Sequence, residues 1–277
     1  MTREKQIKEL VKQKYSEIAL QDKETNSCSC CGSGSCSTEV YNIMNEDYSQ
    51  LDGYNEDADL GLGCGLPTQF AKIKKGDVVI DLGSGAGNDC FVARAETGKT
   101  GKIIGIDFTP AMIEKARNNA QKLGFNNVEF RQGDIENMPV TADVADVVVS
   151  NCVLNLVPNK QAVFKEIYRV LKVGGHFSIS DIVLVGDLPK KMKEAVEMYA
   201  GCVAGASQKN DYWSFIEQAG FKNITIQKEN PIILPDDILE SYLSKEDISA
   251  YRAKLPIIRS ITVYAEKQEC DCKSGCC

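Results

Sequence analysis

One histidine, His176, serves the whole chain of 277 residues. A single imidazole nearly excludes a histidine-built zinc site or a catalytic triad. No apolar run approaches the ~20 residues that a membrane helix needs. The stretch from Met1 to Leu10 alternates charges where a secretory signal would carry an apolar core. A basic surplus is also lacking. The 32 Lys and Arg stand against 39 Asp and Glu, and a net charge of -7 has the wrong sign for gripping phosphates. A soluble, cytoplasmic protein with no nucleic-acid and no membrane partner is expected.

What the chain has in excess is cysteine, twelve in all. Thiols stay reduced in the cytosol, and a chain long enough to bury a large core needs no covalent staples. Ligand or redox roles are therefore expected. Cys28, Cys30, Cys31 and Cys36 sit in a Gly/Ser background that reads as a flexible loop capturing a soft metal, and the tail from Cys270 to Cys277 repeats that character. Three others stand alone: Cys64 between Gly63 and Gly65, Cys152 after a strand, and Cys202 in Gly201-Cys202-Val203-Ala204-Gly205. The glycines beside Cys64 predict an open, movable thiol. Cys90, among Phe91, Val92 and Ala93, reads as a buried helix residue.

Val78 to Leu82 is a β-branched run of the kind that forms a buried parallel strand, and it breaks at Gly83, Gly85 and Gly87 into a helical pattern from Asp89. Such a loop lets a ligand lie close to backbone near a helix N-terminus. A dinucleotide fingerprint would place its third glycine at position 88, where Asn88 stands. Asp81, just before the first glycine, would repel a pyrophosphate but suits an ammonium group. Strands at Ile103–Asp107 and Val128–Arg131 each lead to an acid, Asp107 and Asp134, and a fourth over Val144–Ser150 leads to Asn151 and Cys152. These strand ends resemble those of class I S-adenosylmethionine-dependent methyltransferases. The resemblance implies an α/β, Rossmann-like, seven-stranded mostly parallel sheet with helices on both faces and a small C-terminal region. It also implies that Asp81, Gly83, Ser84, Gly85, Gly87 and Asn88 hold the methionine part of the cofactor and Asp107 the ribose. Asp134 takes the adenine edge, with Phe108, Met112, Ile135 and Asn151 completing the pocket.

Periodicity predicts helices over 3–19, 89–97, 110–123, 160–172, 188–200 and 210–219, with Gly174-Gly175 closing the fourth of them before a fifth strand at Phe177–Val183. Trp213 and Phe215 are expected in the core. Strands near Ile224–Gln227 and Ile261–Ala265 finish the sheet, and 230–258, punctuated by Pro231, Pro235 and Pro256, reads as irregular. Four regions are expected: 1–60 with the N-terminal helix, cysteine-rich loop and lid; 61–229 as the cofactor-binding core; 230–266 on the substrate side; and 267–277 as a disordered tail.

The segments around Cys64, Cys152 and Cys202, with the glycine loop, are together similar to the arsenite S-adenosylmethionine methyltransferase family over roughly residues 5 to 265. That resemblance implies that Cys64, Cys152 and Cys202 bind trivalent arsenic. Cys31 is a further candidate for the arsenic site and a candidate N-terminal disulfide partner for Cys64. Arsenite and methylarsenite are the implied substrates, S-adenosylmethionine the methyl donor, and thioredoxin or glutathione the external thiol reductant. His176 is assigned no function. Two other readings stand beside this one. A methyltransferase of another small molecule would share the nucleotide site, and a non-enzymatic metal-sequestering thiol protein would use the terminal clusters alone.

Overall fold

The computed structural model describes residues 3–20, 46–194, 203–254 and 257–269. Helix α1 (Arg3–Leu20) precedes a turn-rich segment and the short α2 (Pro67–Phe70). Strand β1 (Val78–Leu82) then leads through α3 (Asn88–Thr97) to β2 (Lys102–Asp107), and α4 (Pro110–Lys122) to β3 (Val128–Gln132). Strand β4 (Ala145–Asn151), a single 3-10 turn (Leu154–Leu156) and α5 (Lys160–Val170) lead into β5 (Leu171–Leu184). After α6 (Lys190–Glu194) come β6 (Ser207–Gln208), α7 (Lys209–Gln218), β7 (Lys222–Ile232), α8 (Asp236–Glu240), α9 (Lys245–Arg252) and β8 (Ile258–Glu266).

The main strand order is β3-β2-β1-β4-β5-β8-β7, with β6 paired to β5 off that path. Strands β1 to β5 are mutually parallel, and β8 runs antiparallel to both β5 and β7. This is the class I methyltransferase sheet. Its chemistry is that of strands buried on both faces, which read as continuous apolar runs. Ile80 and Leu82 of β1 pack with Val163, Phe164 and Ile167 of α5 on one side, while Val79 packs with Phe91 and Ile113 from α3 and α4 on the other. The chain order reverses between β1 and β4, so their carboxyl ends open a crevice at the switch point. The glycine loop follows β1 and Cys152 follows β4, and both therefore face that crevice.

Three expectations are corrected. Gly174 and Gly175 do not close a helix: α5 ends at Val170, Leu171 is already extended, and both glycines lie inside β5, where the pairing with β4 shifts register between Ala145 and Val147. A bulge takes up the extra residues. The segment 230–258 holds two short helices, because Ser244 caps α9 by accepting from Asp247 N–H and α8 and α9 bury Leu239, Ile248 and Tyr251. Prolines marked the boundaries there, not the absence of helix. On α7 the buried aromatic is Tyr212, while Trp213 is only half-buried, its indole N–H donating to Glu217. Among the described residues no helix is long and apolar enough to cross a membrane.

Candidate active site

The glycine loop is knitted to the end of β2. Gly83 and Ser84 N–H both donate to the Ile106 carbonyl, at 2.8 and 3.0 Å, and Asp107 accepts from Gly85 N–H at 3.1 Å and Thr109 N–H at 2.8 Å. Gly83 lies at φ +66°, and a Cβ there would meet a Val153 methyl at 2.4 Å. The loop thus rests directly on the turn that carries Cys152. Above Gly85 the space is open. Gly87 sits beneath the loop at the start of α3, against Phe91 and Phe130.

A cleft opens over this loop. It brings together Asp81, Gly83, Ser84, Gly85, Asn88, Asp107, Phe108, Met112, Asp134, Ile135, Asn151 and Cys152, residues spread over more than seventy positions of sequence. Ser84 Oγ and Asn88 Oδ1 are buried there with no partner among the described residues. Buried polar atoms left unmade cost about 1–3 kcal/mol each, so they mark where a polar ligand fits. Asp81 is 2 % exposed and accepts from the Cys90 thiol at 3.2 Å. Burial, reinforced by nearby Asp89, pushes the Asp81 carboxyl well above its usual range. Burial raises Asp107 in the same direction, and it holds Asp89 at about 6 against the hydrogen bonds of Tyr48 and Asn151. Three crowded acids are a site built for positive charge.

Asn151, at the end of β4, accepts from Cys64 N–H at 3.0 Å and donates to the Gly65 carbonyl at 2.8 Å and to Asp89 at 3.3 Å. Tyr48 stands on the same hub, its hydroxyl donating to Asp89 at 2.9 Å and accepting from Asn151. Ser260 Oγ donates to the Cys64 carbonyl at 2.6 Å. Cys64 is therefore pinned, and it is 1 % exposed. The expectation of an open, movable thiol is corrected. Its glycines are needed for close approach: a Cβ at Gly63 would sit 2.7 Å from Asn151 Nδ2, and one at Gly65 2.5 Å from Ser180 Oγ. Cys152 is also buried, with a left-handed φ of 59° and its N–H donating to the Ser180 carbonyl at 2.8 Å. Cys64 and Cys152 belong to one apolar cluster with Val11, Leu156, Ile182 and Val203. Cys202 and Cys31 lie outside the described residues, as do both terminal cysteine clusters.

Some site residues carried no legible signal. Lys8, Val11 and Tyr15 of α1 line the cleft, so this helix roofs it. Lys8 donates to Asp134 at 2.5 Å and also to Glu136, across the end of β3. Amphipathic spacing announced the helix but not what it covers. Tyr48 and Asp89 had no site role assigned from sequence, and only tertiary structure joins them through Asn151. His176 is structural: its Nε2 lies 2.5 Å from the Ala71 carbonyl and its ring packs against Tyr264.

A family profile described as a methyltransferase domain matches residues 73–220. An arsenite methyltransferase of Halobacterium salinarum is 42% identical over 234 residues, covering 80% of this chain and 59% of that protein. One from Aquipseudomonas alcaligenes is 30% identical over 243 residues, covering 85% of this chain and 68% of its own. The chain thus spans less than two thirds of the Halobacterium relative. Among solved structures, the crystal structure of an arsenic (III) S-adenosylmethionine methyltransferase from Chlamydomonas reinhardtii superposes with a TM-score of 0.61 at 31% identity, covering 76% of this chain and 68% of that one.

Proposed function

The chain belongs to the arsenite methyltransferase family, and from that premise we propose that it methylates trivalent arsenic held by its own cysteine thiolates, with S-adenosylmethionine as methyl donor. The observation that carries this reading is the adjacency of two buried thiols to the cleft: Asn151 fixes the Cys64 backbone, and the next residue, Cys152, lines the cleft beside the glycine loop. A methyltransferase of an ordinary metabolite would have no use for that pair, and a metal-sequestering protein none for the cleft.

The cleft suits the donor chemically. Asp81 and Asp89 offer negative charge to an ammonium and a sulfonium, Asp107 accepts from ribose hydroxyls, and Asp134 faces the adenine edge. Ser84 and Asn88 supply the remaining polar contacts, and Phe108, Met112 and Ile135 the apolar ones. When bound, S-adenosylmethionine supplies a methyl group on a positively charged sulfur. Arsenite is the substrate, with methylarsenite the substrate of a second round. Cys64, Cys152 and Cys202 take up three positions of a pyramidal arsenic centre, because soft thiolates prefer soft centres. Its lone pair then faces the cleft. That lone pair is the nucleophile, so no general base is required. Val11, Leu156 and Phe108 keep water away, and holding both partners at near-attack distance supplies much of the rate.

Giving its lone pair to carbon leaves arsenic formally oxidised by two electrons. Two thiols return them by joining as a disulfide, which an external thiol reductant, thioredoxin or glutathione, must reopen. A reducing cytoplasm is the compartment this requires. The N-terminal region to residue 60 serves as cover, 61–229 as donor-binding core and 230–266 as the substrate side.

The decisive experiment follows labelled methyl from the donor, with arsenite and excess thiol, by product speciation. Label on arsenic is expected. Label on an organic acceptor, or nowhere, would sink the reading. A second expected result concerns the donor alone. Asp107→Ala should weaken donor binding by about 1.5–3 kcal/mol per lost charged hydrogen bond, read by calorimetry without arsenic. Unchanged donor affinity would remove Asp107 from the ribose.

A further inference from the structure

Cys152 occupies a backbone conformation that a residue with a Cβ avoids, at a cost of about 1–3 kcal/mol. Something must hold it there. The end of β5 does so with three consecutive residues. Ser180 takes the Cys152 N–H, and the Asp181 carboxylate and the Ile182 carbonyl both take Asn155 Nδ2, each at 2.7 Å. Asn155 is completely buried, and its own Oδ1 has no partner among the described residues. For stability alone, an apolar side chain there would avoid that loss. The amide is kept where it ties the turn Cys152–Asn155 to the strand. On the other side of the same turn, Val153 presses on Gly83 of the glycine loop.

We propose that Asn155, clamped by Asp181 and the Ile182 carbonyl, is a positioning residue that fixes the Cys152 thiol for methyl transfer. This rests on the reading of Cys152 as an arsenic ligand. The clamp works through shape: Asp181 also receives Ile182 N–H at 3.0 Å and the Tyr212 hydroxyl at 3.3 Å, so its carboxyl is located from three sides. A neutral amide of the same outline, with its carbonyl oxygen toward Asn155, keeps the bond that matters. Without the clamp Cys152 relaxes to negative φ, and its sulfur moves. A shift of about 1 Å between reacting groups costs about 100-fold in rate.

The test measures single-turnover methylation of arsenite at saturation, alongside donor affinity and binding of phenylarsine oxide. Asn155→Ala should lose about 100-fold in the transfer rate with donor affinity within twofold. Asp181→Ala should match it, and Asp181→Asn should stay within about threefold of the wild type, rescue that a bare loss of folding stability would not produce. If Asn155→Ala does not fold, Asn155→Ser, which keeps a donor but shortens its reach, takes its place. Transfer at the wild-type rate in the folded Asn155 variant would overturn the proposal. So would an Asp181→Asn variant as slow as Asp181→Ala, because charge and not placement would then be at work. Cys152→Ser is run in parallel: if it still methylates, the ligand reading itself falls and the inference with it. If it is dead while the Asn155 variant is fast, only the positioning role falls.

Discussion

Alanine at Gly83 is expected to lower stability by about 2–5 kcal/mol, the sum of a left-handed penalty of ~1–2 and an overpacking cost of ~1–3, and to abolish methyl transfer. The position tolerates no Cβ on two grounds. Its φ is +66°, and the added carbon would stand 2.4 and 2.6 Å from the two Val153 methyls. Val153 cannot retreat without dragging Cys152, its neighbour, so one methyl group disturbs the cofactor loop and a thiol together. Gly124→Ala separates these causes. Gly124 has a similar φ of +65° but open space around its missing Cβ, and it lies outside the cleft. It should cost only the backbone penalty, about 1–2 kcal/mol, with activity intact. Urea unfolding and labelled-methyl turnover on both variants check this. If Gly83→Ala is no worse than Gly124→Ala, the contact with Val153 is not what couples the two halves of the site.

That coupling explains what the sequence made legible. Three strand ends in order, Asp81 with its glycines, Asp107 and Asp134, announce the sheet and its crevice, since parallel strands buried on both faces leave a strong local signal. Cys152, at the end of β4, is placed by the topology of the sheet together with the resemblance its segment carries. The errors have one origin. Glycines mean either freedom or close approach, and nothing local separates the two. Around Cys64 they meant approach, to Asn151 and Ser180, partners 88 and 115 positions after Gly63 and Gly65 respectively. Within β5, Gly174-Gly175 meant a bulge. The Tyr48–Asn151–Asp89 hub and the α1 roof were illegible for the same reason: each joins segments distant in sequence, and no residue taken singly announced its partners. The prolines of 230–258 hid two short helices whose stability comes from packing, as it does for most short helices.

The pinning of Cys64 also sharpens what each thiol variant should do. On the function proposed here, arsenite, with three exchangeable positions, would use Cys64, Cys152 and Cys202 together. Once methylated and returned to the trivalent state, arsenic carries one inert carbon and only two positions for sulfur. Cys152 and Cys202 are expected to be the lasting pair, and Cys64 the third ligand and electron donor. Cys64→Ser should therefore slow methylation of arsenite by about 100-fold or more, the scale of a misplaced reactant, and still methylate trivalent monomethylarsenic. Cys152→Ser and Cys202→Ser should stop both. The fold is expected to survive Cys64→Ser, because the bonds that hold this residue, from its N–H to Asn151 and from Ser260 to its carbonyl, belong to the backbone and not to the sulfur. A hydroxyl placed in that apolar cluster costs about 1–3 kcal/mol, which circular dichroism and a melting curve will show as a shift without loss of structure. Product speciation with each substrate, under excess reductant, decides between the roles. Normal conversion of arsenite by Cys64→Ser, or methylation of the monomethyl substrate by Cys152→Ser, would mean that the thiols divide the work differently. In the second case Cys64, immobile but correctly placed, would be one of the permanent pair.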